Sequence, residues 1–280
     1  MTRRAVWART ALSAPLAAIL AFSGVQLWNT ENNYRAEAAL HASVMTYKPA
    51  SGSAAAAAKP APAPGTSDPG GAPPQTDVPD APDVPAAAYP AYNQSIAELR
   101  RSNSDVAGWI TLDGTAIDYP FARGTDNDFY LRRDIDKKAA YAGTVFMDCR
   151  CRADFSGFNT ILYGHSMKNG SMFHDLTRFS DKGFFDSHTA GTIYLEELNI
   201  PFEVFAFLVL QPIDLTVFQT ADGAAPFDSY VAYLRAHARY WRDINLSSGD
   251  HLLTLSTCSY EFKNARAVVI AKLGALPNSH

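Results

Sequence analysis

The stretch KPASGSAAAAAKPAPAPGTSDPGGAPPQTDVPDAPDVPAAAYP, from Lys48 to Pro90, divides the chain in two. It is dense in Pro, Ala and Gly and almost free of large apolar residues, so it cannot bury enough surface to offset the entropy of ordering it. It reads as a semi-extended, disordered spacer. Any core must come from the flanks, and of the 280 residues only those from about Tyr92 to His280 are numerous and apolar enough for one domain with a substantial interior. No internal repeat is evident beyond the Pro-Ala bias.

The N-terminal flank, MTRRAVWARTALSAPLAAILAFSGVQLWNTE, carries Arg3, Arg4 and Arg9 ahead of an uncharged, mostly apolar run from Thr10 to Thr30. At ~1.5 Å per residue that run is long enough to cross a hydrocarbon core of ~30 Å. It reads as a membrane anchor, with the basic tip inside the cell and the remainder outside. A cleaved signal peptide is the rival reading, and a buried helix of a soluble domain a third. The run exceeds the ~7–15 residues of a signal core, and no small-x-small site closes it. The expected organisation is a basic tip and anchor at 1–31, an extracellular stalk and linker at 32–91, and a folded domain at 92–280, in a single-pass protein of the cell membrane.

A formal net charge of -4 provides no basic footprint, which argues against nucleic acid as a partner. An exported chain usually pairs its cysteines, yet there are three. Cys149 and Cys151, in FMDCRCRADF, would share one face of a strand. With no second pair or His at ligand spacing they are weak evidence for zinc, and half-buried thiols without a role describe them better. No metal or cofactor is expected.

Within the folded domain, YNQSIAELRRSNSDVAGWITL suggests a short helix with Ser95 as N-cap and Glu98 at the capping-box spacing, leading into the strand GWITL. Short apolar runs split by turn residues follow: AIDYPF, AGTVFMD, NTILYGH, GTIYLEEL, PFEVFAFLVLQPI, HLLTLSTCSY and RAVVIAKL. Strands this numerous, without long helices alternating between them, indicate an all-β barrel or sandwich. Two helical interruptions are expected. MFHDLTRFSDKGFFDSH places Met172, Leu176 and Phe179 at helical spacing; APFDSYVAYLRAHARYW places Phe227, Tyr230, Val231, Leu234, Ala238 and Trp241 on one stripe. That stripe is most simply a packing face, with a substrate groove as the sharper alternative.

Cys258 ends the strand LLTLSTC, on the face of Leu252, Thr254 and Ser256. A Cys at such a place is ordinarily a small core residue. The Thr and Ser around it, however, make the strand end polar, and strand ends opening into loops commonly display catalytic groups. His165 ends another apolar run, after a Gly, and Arg266 begins RAVVIAKL, where an unpaired charge is costly unless it opens onto a polar site. The three together can do one job. A thiolate is the reactive form of Cys, favoured by a nearby cation; a His can exchange its proton with a departing amine; an Arg can donate to the oxygen that becomes negative. The product is an acyl-enzyme thioester, resolved by water in a protease or by an amine in a transpeptidase.

YGHSMKNGSMFHDLTRF and TLSTCSYEFKNARAVVIAKL, in that order, resemble the His and the Thr-Leu-x-Thr-Cys…Arg signatures of sortases, specifically class B, and the similarity extends upstream through VAGWITLDGTAIDYPF, DNDFYLRRD and AGTVFMD. It covers about Tyr92 to Leu273. The resemblance implies a mainly β fold, an eight-stranded sortase-type barrel with an N-terminal helix and an amphipathic helix inserted in a late strand-strand loop. It further implies a membrane-anchored cysteine transpeptidase of Gram-positive bacteria, in which Cys258 attacks the Thr carbonyl of a C-terminal sorting signal. His165 and Arg266 would serve as general acid and oxyanion donor, and Asn127, Leu131 and Ser256 would line the substrate pocket.

Its partners would be secreted proteins bearing Asn-Pro-x-Thr-like or Leu-Pro-x-Thr-like signals, and an amine of a peptidoglycan precursor or of a pilin. Two departures bear on signal preference: the segment between Cys258 and Arg266 is short, and Ser259 stands where some class B members have an acidic residue. Papain-like hydrolases and L,D-transpeptidases do not share the order and spacing of His165 and Cys258. A non-catalytic surface domain with Cys258 merely buried is the reading from a different class.

Overall fold

The computed structural model describes residues 3–49, 87–211, 214–220, 226–258 and 265–277, and for 3–21 and Cys258 it describes the backbone alone. The Pro-rich tract at 50–86 lies outside the described residues. Helix α1 (Arg3–Val44) is continuous over 42 residues and ends in a 3₁₀ turn at Met45–Tyr47. Among the described residues no helix is long and apolar enough to cross a membrane; much of the apolar run at 10–30 falls where side chains are not described. The start of the expected stalk, residues 32–49, takes in the last turns of the helix and the 3₁₀ turn and joins the folded unit. Val44 is buried, and Leu40, Met45 and Tyr47 pack on a cluster of Ile96, Trp109, Tyr130 and Phe146.

After β1 (Tyr89–Pro90), helix α2 (Gln94–Ser102) lays Ile96, Ala97 and Leu99 inward. The expected capping box does not form. Asn93 is the N-cap, without a side-chain cap bond, and Ser95 sits inside the first turn. Tertiary partners win here: the Asn93 amide donates to the Leu195 carbonyl and to Asn199 Oδ1 at 2.8 Å, while Glu98 accepts from Gln94 at 2.7 Å.

The strands β2 (Val106–Leu112), β3 (Asp118–Ala122), β4 (Val145–Met147), β5 (Asn159–Tyr163), β6 (Ala190–Tyr194), β7 (Leu198–Leu210), β9 (Leu252–Cys258) and β10 (Arg266–Leu273) close into an eight-stranded barrel in the order β6-β2-β3-β4-β5-β9-β10-β7. Closure falls to β7. Its 13 residues pair with β6 through Asn199–Glu203 and with β10 through Phe202–Leu210, so one strand reaches both neighbours. The pairs β3–β4 and β5–β9 are parallel and the rest antiparallel. Such closure removes exposed strand edges. Short β1 and β8 (Tyr240–Trp241) add to β7 outside the barrel.

Trp109, Phe121, Ile161, Phe205, Leu253 and Val268 are among the fully buried side chains. In β9 every side chain from Leu252 to Thr257 is buried, so both faces of this strand are covered and alternation does not separate inside from outside. The two helical interruptions are present but broken differently from the sequence pattern. Residues His174–Ser180 form a 3₁₀ turn, followed by α3 (Lys182–Ser187), whose N-cap Asp181 accepts from Phe184 N–H at 2.8 Å. Leu176 and Phe179, three apart, are both buried there, the spacing that a 3₁₀ turn brings to one side.

Helix α4 (Phe227–His237) buries Tyr230 and Leu234 but stops before Ala238 and Trp241. Beyond it Arg239 N–H bonds to the Phe207 carbonyl at 2.8 Å and Arg242 N–H to that of Phe205 at 2.7 Å, so pairing with β7 replaces the last helical turn. The helix thus sits in the connection between β7 and β9.

Candidate active site

The parallel pairing of β5 with β9 and the antiparallel pairing of β9 with β10 bring three strand ends to one rim of the barrel. Gly164, just past β5, donates its N–H to the Ser256 carbonyl at 3.2 Å. A side chain at Gly164 would stand 2.7 Å from Cγ of Phe173, so only Gly lets this turn lie so close. Cys258 ends β9, and Arg266 opens β10 directly opposite it in register. Paired residues of an antiparallel ladder have Cα atoms roughly 4.5–5.5 Å apart, so the backbones of Cys258 and Arg266 are immediate neighbours.

A groove of about 450 Å³ opens at this rim. Its walls include His165, Arg266, Asn127, Leu131 and Ser256, so all five expected site residues with described side chains border one space. The side chain of Cys258 and residues 259–264 lie outside the described set.

His165 is half-buried, and its Nε2 lies 2.9 Å from the Leu131 carbonyl oxygen. That oxygen can only accept, so Nε2 carries the hydrogen in this pair and Nδ1 is left as the basic nitrogen. Burial holds the imidazole below its ordinary pKa; the Leu131 carbonyl opposes this, and the nearby Arg132 charge adds to it. Leu131 therefore serves the site twice, its backbone orienting His165 while the residue lines the groove. Ser256 is buried, and its Oγ has no hydrogen-bond partner among the described residues. Asn127 is partly committed, its Oδ1 accepting the Cys149 N–H at 2.8 Å.

Asp148, Arg150 and Tyr163 are among the wall residues that escape the sequence reading. Asp148 is fully buried, and the Arg150 guanidinium grips it with Nε at 2.9 Å and an η nitrogen at 2.7 Å. The Tyr163 hydroxyl donates to the same carboxylate at 3.1 Å. Burial alone would lift the Asp148 carboxyl; hydrogen bonds from Arg150, the backbone and Asn127 outweigh it and hold the group below its ordinary range. The available signal was the sequence itself: opposite charges two apart just after the apolar run in FMDCRC, and Tyr163 two residues before His165 at the end of the same apolar run.

Cys149 and Cys151 are not on a strand, contrary to expectation. They lie in the turn after β4, closed by Cys151 N–H to the Asp148 carbonyl at 2.9 Å, where the chain leaves the sheet to bring Arg150 back over Asp148. Both are free thiols, Cys149 half-buried and Cys151 buried, and burial pushes the Cys151 thiol up to about 11. Arg123 holds the turn through the carbonyls of Cys149 at 2.8 Å and Cys151 at 2.9 Å. Among the described residues no cluster of three or more His, Cys, Asp or Glu could hold a metal ion.

A closed barrel with this rim is found in known proteins. The sortase domain family matches residues 110–274. Sortase B of Listeria monocytogenes is 33% identical over 180 residues, covering 64% of this chain and 73% of that protein. The X-ray structure of Clostridium perfringens sortase B superposes with a TM-score of 0.60 at 34% identity, covering 63% of this chain and 98% of that one. Sortase B from the type II pilus of Streptococcus pneumoniae superposes with a TM-score of 0.56 at 34% identity, covering 64% and 98%.

The chain belongs to the sortase family, in its class B. It is accordingly a cysteine transpeptidase, of a family that acts at the cell surface on proteins bearing sorting signals, with amines of the cell wall as acceptors.

Proposed function

We propose that this enzyme cleaves a C-terminal sorting signal of secreted proteins after its Thr and transfers the new carboxyl end to an amine of a peptidoglycan precursor. Cys258 attacks the Thr carbonyl and passes its thiol proton to Nδ1 of His165; a C–S bond forms. The C–N bond then breaks, and the imidazole returns the proton to the leaving amine. In the second half the acceptor amine attacks the thioester, its proton travels by way of the imidazole, and the thiol is regenerated. Arg266 donates to the oxyanion in both tetrahedral intermediates. Ser256, Leu131 and Asn127 border the path of the signal, of the Asn-Pro-x-Thr or Leu-Pro-x-Thr type.

The observation that carries this reading is the register that sets Cys258 opposite Arg266 at a groove also walled by His165. The N-terminal 1–31 is proposed as basic tip and single-pass anchor, 32–91 as the connecting segment, and 92–280 as the catalytic domain outside the cell. The basic-then-apolar order of the first thirty-one residues supports that placement.

Intact-mass spectrometry after mixing the enzyme with Asn-Pro-x-Thr or Leu-Pro-x-Thr peptides tests the reading. A thioacyl adduct is expected on the wild type, absent from Cys258→Ala, and discharged by glycine or diaminopimelate into a new amide. Turnover should fall by about 10²–10³-fold in Arg266→Ala. No adduct with any peptide would sink the assignment of Cys258. A second reading, transfer to a pilin Lys, draws support from the likeness to the S. pneumoniae pilus enzyme; competition between Lys and diaminopimelate amines decides between them.

A further inference from the structure

The distal end of α1 meets the barrel behind the hairpin that carries His165. This hairpin leaves β5 at Tyr163, turns through 168–170, and returns to Phe173, whose N–H bonds to the His165 carbonyl at 2.8 Å. The returning arm contains Met172 at φ 58°, a left-handed conformation unfavourable for a non-Gly residue, which persists only where its surroundings impose it. Two contacts from outside the hairpin hold that arm. The Met172 N–H donates to the Tyr119 hydroxyl at 2.9 Å, and the Ser171 hydroxyl is bonded to the carboxylate of Glu37.

Both contacts lead to α1. Glu37 is on it, and the Tyr119 ring lies against the ring of His41, centroids 4.7 Å apart. His41 in turn has Nε2 3.2 Å from the Asp118 carbonyl. Glu37 and His41 are four residues apart and therefore share one helix face. Between that face and the hairpin lies a cavity of about 170 Å³ bordered by Glu37, His41, Val44, Tyr119 and Met172. The joint is thus incompletely packed, and polar contacts carry more of the work of placing the arm.

The Ser171 hydroxyl has one hydrogen for two acceptors, Glu37 and Asn169 Oδ1, the latter at 2.8 Å. Burial raises the Glu37 carboxyl above its ordinary range, against the Ser171 bond and the His41 charge. Gln at 37 keeps an oxygen that accepts from the Ser171 hydroxyl, which makes it a faithful substitute.

We propose that Glu37 and His41 of α1 are positioning residues for transpeptidation: by way of Ser171 and Tyr119 they set the returning arm of the hairpin and, with it, the His165 imidazole at the groove. This rests on the reading of His165 as the proton carrier. It makes the helix that follows the N-terminal apolar run part of the support of the catalytic centre.

The test is steady-state kinetics of the full-length chain with a sorting peptide and an amine acceptor. Glu37→Ala and Ser171→Ala are each expected to lower kcat about tenfold with KM within about twofold, since small misplacements of a catalytic group act on the chemical step. The double variant should be no slower than the worse single, because both remove one contact. Glu37→Gln should retain most of kcat, and Arg35→Ala, on an exposed stretch of the same helix, all of it.

Wild-type kcat in both single variants, multiplicative losses in the double, or an equal loss in Arg35→Ala would each overturn the proposal. His165→Ala separates the two levels. Full turnover without the imidazole refutes the catalytic assignment itself, whereas lost turnover there with wild-type rates in Glu37→Ala and Ser171→Ala refutes the positioning role alone.

Discussion

Asp148 has no exposure to solvent, and its charge is tolerable only because Arg150 and Tyr163 close around it. The Arg150 side chain is itself about half exposed, so the pair has one foot in water and is worth less than a fully buried one. Arg150→Ala leaves the carboxylate short of its main partner and should destabilise the fold by on the order of 2–3 kcal/mol, read from urea unfolding at pH 7. The sign with pH follows from the depressed Asp148 pKa. Its contribution is present above the unfolded value of ~3.9 and is lost as pH falls through the lower folded value. The gap between wild type and Arg150→Ala should therefore shrink in unfolding experiments near pH 3; a gap of constant size would show that the ion pair is not its source. His165 and Arg266 were legible one by one, each a polar residue at the edge of an apolar run. Asp148 and Arg150 were not, because two charges in a turn look like solvated surface until the barrel closes over one of them.

At the scale of elements, the connection between β3 and β4 shows how loop geometry reaches the site. Gly143 has φ 63°, and a Cβ there would meet the carbonyl oxygens of Tyr130 at 2.4 Å and Leu131 at 2.6 Å. The obstacle is backbone, which has nowhere to go without moving the acceptor of His165 Nε2. Gly143→Ala should cost about 2–4 kcal/mol and lower kcat as well, whereas Gly170→Ala, at φ 86° with open space around it, should cost only about 1 kcal/mol. Thermal melts and turnover of the two variants check this; equal losses would mean that strain alone, not the clash, governs position 143. The helices illustrate the same dependence on neighbours. The apolar stripe from Phe227 to Trp241 is continuous in sequence, yet the pairing of β8 with β7 ends α4 at His237 because strand hydrogen bonds satisfy the backbone beyond it.

For the whole molecule, α1 changes what the segment 50–86 connects. The segment reads in the sequence as a spacer and lies outside the described residues; before it begins, α1 docks on the barrel, and Lys48 Nζ reaches Asp118 Oδ2 at 2.5 Å. Beyond it the Ala88 N–H bonds to the Ala275 carbonyl at 2.9 Å. The described residues on either side of 50–86 are thus fastened to one body. Loop closure depends only weakly on length. Removing half of the segment should shift stability by less than about 1 kcal/mol and leave turnover unchanged in the otherwise intact enzyme; a large loss of activity on shortening would show that the length of the segment matters to the enzyme.

What the sequence determined by itself is what local physics controls. The Pro-Ala tract bars a core, turn residues cut the apolar runs into strands, and a His, a Cys and an Arg at run ends announce chemistry. Interactions within about ten residues suffice for each. Tertiary structure decided what needs contacts between distant segments. It joined β6 to β7 to close the barrel, ran β5 parallel to β9 so that His165 reaches the rim where Cys258 faces Arg266, buried Asp148, and seated α1 on the hairpin behind His165. The physical reason is that strand order and groove walls follow from burying apolar surface against partners far along the chain, and no local pattern encodes which partner that is.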